Sequence, residues 1–230
     1  MVEGIKKIGF DADDTLWVNE LFFRETEQHF YKLLADYADE STISSELYRT
    51  ESNNMFLYGY GVKAFILSVL ETAHHITQGN VPASIVREII DLGKKQLLQP
   101  VELLPSVEDT LNALVGSYEL ILVTKGDLLD QERKLAASGL EHLFHHVEVM
   151  SDKTECYYRK LLKHIDLRPD EFMMVGNSLR SDILPPLILG SYAVYVPCEM
   201  TWEHEKAEEP TSDPRFFKVD SLWEILRLLP

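Results

Sequence analysis

The chain has 230 residues, 45% hydrophobic and 10% aromatic, which excludes disorder as its main state and allows one large core or two smaller ones. Lys and Arg number 22 against 38 Asp and Glu, a formal net charge of −16, and so acidic a surface repels phosphate backbones and anionic lipid. No nucleic-acid partner is therefore expected, and no membrane partner, since no stretch reaches the roughly 18 apolar residues of a spanning helix. Cys156 and Cys198 are too few for a disulfide framework and are spaced unlike a zinc signature, and the start shows no cleavable apolar leader, so a cytoplasmic protein is expected.

Residues 5–10 form a short apolar run that stops at Asp11, Asp13 and Asp14, the pattern of a buried strand delivering acids to its carboxyl end. From residue 19 to 99 the spacing becomes helical, with Phe23, Phe30, Leu34 and Tyr37 in one segment and Val62, Phe65, Ile66, Val69 and Ala73 in another. A shorter helix is expected around 44–57, and Pro82 opens a fourth through Val86, Ile89, Ile90 and Leu97, giving four helices and no strand. Beyond Pro105, apolar runs at 120–123, 147–150, 172–175 and 193–196 alternate with helices predicted over 107–115, 128–138 and 154–165. Ser106 is the candidate N-cap of the first of these helices and Gly139 the stop of the second. The acidic stretch 199–209 reads as a solvated loop before a last helix at 221–229. The alternation implies an α/β fold with a Rossmann-like parallel sheet, which the first strand joins only if the helical block is an insertion. The expected division is a core of residues 1–16 and 101–230 and an inserted helical domain of residues 17–100.

Reacting groups in an open α/β sheet gather at the carboxyl ends of its strands. Those ends carry Asp11-Ala12-Asp13-Asp14-Thr15, Thr124-Lys125-Gly126-Asp127, Ser151-Asp152-Lys153 and Gly176-Asn177-Ser178-Leu179-Arg180-Ser181-Asp182. In their order and types these four segments resemble the motifs of the haloacid dehalogenase superfamily, with the helical insertion where that superfamily carries its first-type cap. The apolar strand ending in Asp-x-Asp-x-Thr is the most specific element.

The resemblance implies a phosphatase that transfers the phosphoryl group of a small phosphorylated substrate to the Asp11 carboxylate, with Asp13 as acid and base. Thr124 and Lys153 would meet the charge on the equatorial oxygens. The implied cofactor is Mg²⁺, a hard cation held by one or two carboxylates plus waters and substrate phosphate; Asp11, the Asp13 carbonyl and Asp182 are the implied ligands, with Asn177 ligating directly or through water. Two positions depart from the pattern. Asn177 stands where many phosphatases of the superfamily have Asp, so the site loses a negative charge and weaker metal affinity is expected. Lys125 stands where a small polar residue is more familiar, placing a further cation at the phosphate or toward solvent. Trp17, Asn19, Glu20 and Arg24, where the chain enters the insertion, are candidates to face the substrate, with hinge packing as the alternative.

Other readings are a phosphomutase with the same Asp pair, a 2-haloacid dehalogenase, against which Asp13 argues, and a non-catalytic binding protein. The pairs His74-His75 and His145-His146 point their neighbours apart and are read as solvated or core residues. No heptad or long apolar stripe is visible, so a monomer is the default and a dimer stays open.

Overall fold

All five apolar runs become strands. In the computed structural model, which describes all 230 residues, β1 (Lys7–Phe10), β2 (Glu119–Lys125), β3 (His146–Met150), β4 (Phe172–Gly176), β5 (Tyr192–Tyr195) and β6 (Phe216–Lys218) form one sheet in the order β3-β2-β1-β4-β5-β6. Every neighbouring pair is parallel, with Gly9 in register with Ile121 on one side and Met174 on the other. This is the α/β, Rossmann-like architecture expected from the alternation. The sixth strand was not expected, because three residues are too few to show a run.

Strand side chains alternate between the two faces, and here both faces are covered, so β2 and β4 read as continuous apolar runs. Ile8, Phe10, Leu120, Leu122, Met173 and Val175 point to one face, where Val107, Leu111 and Leu114 of α5 (Val107–Leu114) pack, together with Leu222 and Ile225. Ile121, Val123, Phe172 and Met174 point to the other, against Tyr158, Leu161 and Leu162 of α7 (Glu155–His164).

The chain divides into two compact units. One comprises Met1–Glu20, Val101–Lys125 and Gln131–Pro230 and contains the sheet; the other comprises Leu21–Pro100 and Gly126–Asp130. The second unit is helical: α1 (Glu20–Leu33), α2 (Glu40–Tyr58), α3 (Val62–Ile76) and α4 (Ala83–Leu97) supply it, with a core of Phe30, Leu34, Ile43, Leu47, Phe65, Val69, Ala73, Ile85 and Ile89. The helix expected around 44–57 starts earlier because the Asp39 carboxylate accepts from Thr42 N at 2.7 Å and caps it. Tyr37 lies beyond the end of α1 and is exposed rather than part of its buried face.

Three local expectations need correction. Ser106 precedes α5 in a left-handed conformation (φ 62°), and its side chain makes no capping hydrogen bond. The C-terminal segment is a 3₁₀ helix over Leu222–Arg227, not an α-helix over 221–229. The acidic stretch is not wholly solvated, since His204 is buried and Glu205 lies within the fold. In contrast, α6 (Leu128–Ser138) has the expected limits, and Gly139 at φ 74° follows it.

Candidate active site

β1 is central, and the strand order reverses between it and β4, so a crevice opens at the carboxyl ends of these two strands. Asp11 is the first residue past β1, and its N–H donates to the Val175 carbonyl (2.9 Å), still following the ladder. The chain then turns sharply. Asp14 takes a left-handed conformation (φ 61°), its N–H donates to Trp17 O at 2.7 Å, and its carboxylate accepts from the N–H groups of Asn19 and Glu20 at about 2.9–3.0 Å. That turn, rather than a continued strand, directs Asp13.

Asp11, Lys153 and Asp182 arrive from three motifs and meet. The Lys153 ammonium, whose side chain is 1% exposed, donates to Asp11 Oδ1 and, at 2.7 Å, to Asp182 Oδ1. The group holds two carboxylates and one ammonium, an excess negative charge in a buried place. Burial first, and then the charge of Asp182, push the Asp11 carboxyl up to about 7, although Lys153 opposes both. For Lys153, burial alone would lower the pKa, but Asp11 and Asp182 outweigh it and hold the ammonium protonated. Asp182 lies against the backbone at the end of β4, where any Cβ on Gly176 would collide with its carboxylate. Its Oδ2 accepts from Ser178 N at 3.0 Å.

Thr15 and Asn177 close this end of the crevice. Thr15 Oγ1 donates to Asp11 Oδ2 (3.0 Å) and accepts from Asn177 N (3.1 Å). The Asn177 side-chain NH₂ faces only acceptors: Thr15 Oγ1 and Asp11 Oδ2 at 3.1 Å and the Asp13 carbonyl at 3.3 Å. Asp11 and Asp182 as carboxylates and the Asp13 carbonyl make an all-oxygen donor set, to which Asn177 presents its NH₂ and would add an oxygen only with its amide turned. No three histidine, cysteine or carboxylate side chains converge as a metal group. Such a set suits magnesium, which uses one or two carboxylates and keeps its waters, and not a closed zinc site. Thr124, near the end of β2 and 1% exposed, makes only a long bond of 3.5 Å to Lys125 O through its hydroxyl.

The Lys125 ammonium is engaged away from this group. It donates to Ser181 Oγ at 2.9 Å and pairs with Glu205, whose carboxylate also accepts from Ser178 and Ser181. Burial by itself raises the Glu205 pKa, but the charge and hydrogen bond of Lys125 and the two serine hydroxyls hold it below the usual glutamate range. Arg180 Nη1 fixes the same loop through the His204 carbonyl at 3.0 Å. Glu205 thus ties the loop after β5 to the turn that carries Asp182, a role no feature of an acidic run reveals.

Asp13 is held by donors from its own turn and from α6. Trp17 Nε1 reaches its Oδ1 at 2.7 Å and Lys134 Nζ at 2.9 Å, while Gln131 Nε2 reaches Oδ2 at 2.9 Å. Burial would raise the Asp13 pKa, but Lys134 together with Gln131 and Trp17 lowers it below the usual carboxylate value. Of the residues expected to face substrate, Trp17 is buried against Asp13, Asn19 Oδ1 accepts from Lys134 at 2.7 Å, and Glu20 is buried at the end of the Asp14 turn. Arg24 lies on α1 and pairs with Glu27. Lys134 and Gln131 escaped sequence reasoning. The available signal was a lysine and a glutamine one turn apart on the helix after the second motif.

A sequence model described as haloacid dehalogenase-like hydrolase matches residues 5–185. The chain is 26% identical over 219 residues to a glyceraldehyde 3-phosphate phosphatase of Methanothermobacter thermautotrophicus, covering 86% of this chain and 88% of that protein. It is 24% identical to the N-acylneuraminate-9-phosphatase of Mus musculus, covering 98% and 94%. The crystal structure of a haloacid dehalogenase-like family hydrolase from Xanthomonas campestris superposes with a TM-score of 0.88 at 35% identity, covering 98% of this chain and 91% of that one. By the family match and by its fold, the chain belongs to the haloacid dehalogenase-like hydrolases.

Proposed function

We propose that the enzyme is a magnesium-dependent phosphatase that hydrolyses a small phosphorylated metabolite through an aspartyl phosphate on Asp11. The observation that carries this reading is the buried Asp11–Lys153–Asp182 group at the end of β1, with a second carboxylate, Asp13, two residues on. Two relatives named as phosphatases, matched over most of their length, support it.

In this reading the Asp11 carboxylate attacks phosphorus, forming the Asp11 Oδ–P bond as the ester P–O bond breaks. Lys153 offsets charge on the equatorial oxygens, and the Thr124 hydroxyl donates to one of them. Asp13, ionised in the free site beside Lys134, takes up a proton as the anionic substrate binds, gives it to the leaving oxygen and then takes one from the water that cleaves the acyl phosphate, which releases phosphate and restores Asp11. Magnesium, held by Asp11, the Asp13 carbonyl, Asp182 and, directly or through water, Asn177, would cancel the repulsion between nucleophile and phosphate. Lys125, whose ammonium serves Glu205 and Ser181, is assigned to building the Asp182 turn and not to the phosphate. The helical unit is read as the superfamily's cap, which selects the substrate.

Phosphate release from a panel of an aryl phosphate, sugar phosphates, nucleoside monophosphates and phospho-acids, with magnesium and with chelator, tests the reading. Magnesium-dependent release is expected, and the best member of the panel defines the substrate class. Transfer of the phosphoryl group to a second hydroxyl instead of water would replace it with a mutase, and halide release from a 2-haloacid without phosphate release would replace it with a dehalogenase.

A further inference from the structure

Both carboxylate oxygens of Asp13 accept from side-chain donors. Three donors from two segments meet its two carboxylate oxygens: the Trp17 indole from its own turn, and Gln131 and Lys134 from α6. Gln131 and Lys134 are three residues apart, so they share one face of that helix. Each is itself anchored. Gln131 Nε2 also donates to the Lys125 carbonyl at 3.2 Å, which ties it to β2, and Lys134 Nζ also donates to Asn19 Oδ1 at 2.7 Å, which ties it to the turn after Asp13. The amide of Gln131 is buried and the Lys134 side chain is 20% exposed. A carboxylate that accepts on both oxygens from such anchored donors has no free rotation about its terminal bond.

We propose that Lys134, with Gln131, is a positioning residue for the reaction: the pair sets the orientation in which the Asp13 carboxyl meets the leaving oxygen. The inference rests on the phosphatase reading and deepens it. Proton transfer in the transition state needs the acid within hydrogen-bond reach of the leaving oxygen, and a displacement near 1 Å costs on the order of 100-fold. That cost falls on esters whose leaving oxygen must be protonated. An alkyl phosphate needs the proton, whereas an activated aryl phosphate leaves as a stable phenolate and needs it little. Positioning of Asp13 therefore predicts a loss that depends on the leaving group, which a general loosening of the fold would not produce.

The experiment compares kcat/KM, which reports phosphoryl transfer to Asp11, for p-nitrophenyl phosphate and for the best alkyl phosphate of the panel, in the wild type, Asp13→Asn, Lys134→Met, Lys134→Arg and Gln131→Met. Lys134→Met is expected to lose about 10- to 100-fold on the alkyl ester and less than about 3-fold on the aryl ester. Lys134→Arg, which keeps a cationic donor, should recover part of the alkyl activity, and Gln131→Met should show the same selectivity more weakly. Should Lys134→Met fail to fold, as judged by circular dichroism, Gln131→Met carries the test alone. Equal losses on the two esters, or no loss, overturn the proposal if Asp13→Asn is itself selective against the alkyl ester. An unselective Asp13→Asn overturns the acid–base reading, and the positioning role with it.

Discussion

The Lys125–Glu205 pair yields the sharpest prediction about stability. The two side chains are 15% and 12% exposed, and Glu205 accepts from Lys125, Ser178 and Ser181, so Glu205→Ala takes the carboxylate away from a nearly buried ammonium and removes the acceptor of two hydroxyls. Breaking a buried pair by deleting one partner costs roughly 3–5 kcal/mol, and the residual exposure places this one near the lower end, at about 3 kcal/mol. For a chain of this length that corresponds to a fall in Tm of about 6–12 °C, read by calorimetry or circular dichroism on the unit that holds the sheet. The pH dependence has a definite sign. The folded-state pKa of Glu205 is lowered, so its stabilisation is complete above the usual glutamate value of 4.5 and is lost as pH falls through the folded value. The Tm gap between wild type and Glu205→Gln should therefore be full at pH 7 and close in acid. Replacing both partners, Lys125→Met with Glu205→Met, should cost less than the two single changes together. A Glu205→Ala Tm within about 1 °C of wild type, or a double variant as unstable as the sum of the singles, would refute the reasoning.

Other consequences follow from the same geometry. Asp11→Asn should lower kcat by at least roughly 1,000-fold while the protein stays folded, in a steady-state assay on the best substrate. Lys153→Met leaves Asp11 and Asp182 facing each other without their buried cation; turnover should fall by at least about 100-fold, and substrate binding should become more dependent on magnesium, measured as kcat/KM across a magnesium series. Asn177→Asp adds an anion where the amide now faces Asp11 and the Asp13 carbonyl, so magnesium binding measured by calorimetry should tighten several-fold. Gly176→Ala drives a Cβ into the Asp182 carboxylate and should weaken magnesium binding even where the Tm changes little.

How much of this was legible in the sequence varies with range. β1 and Asp11 were readable because an apolar run and its terminal acid are adjacent in the chain, and α6 was readable because its period and its Gly139 stop are local. The order of the motifs placed Lys153 and Asp182 at the same sheet edge, where they meet Asp11. Glu205 was missed for a physical reason. Within an acidic stretch every glutamate looks solvated, and what turns this one inward is Lys125, 80 residues earlier. Gln131 and Lys134 bind Asp13 across 118 and 121 residues, and their register on α6 gives no sign of which carboxylate they serve. Ser106 shows the limit in the other direction. Its residue type suits a cap, but its backbone is left-handed and its side chain caps nothing.

Rapid quenching of enzyme with magnesium and its best substrate tests the proposed role of Asp11 as nucleophile directly. Acid-quenched, proteolysed enzyme should carry the mass of one phosphoryl group on the peptide containing Asp11, labile to hydroxylamine and absent from Asp11→Asn. Wild-type turnover with no such adduct during the pre-steady state, together with Asp11→Asn turning over near the wild-type rate, would contradict the account.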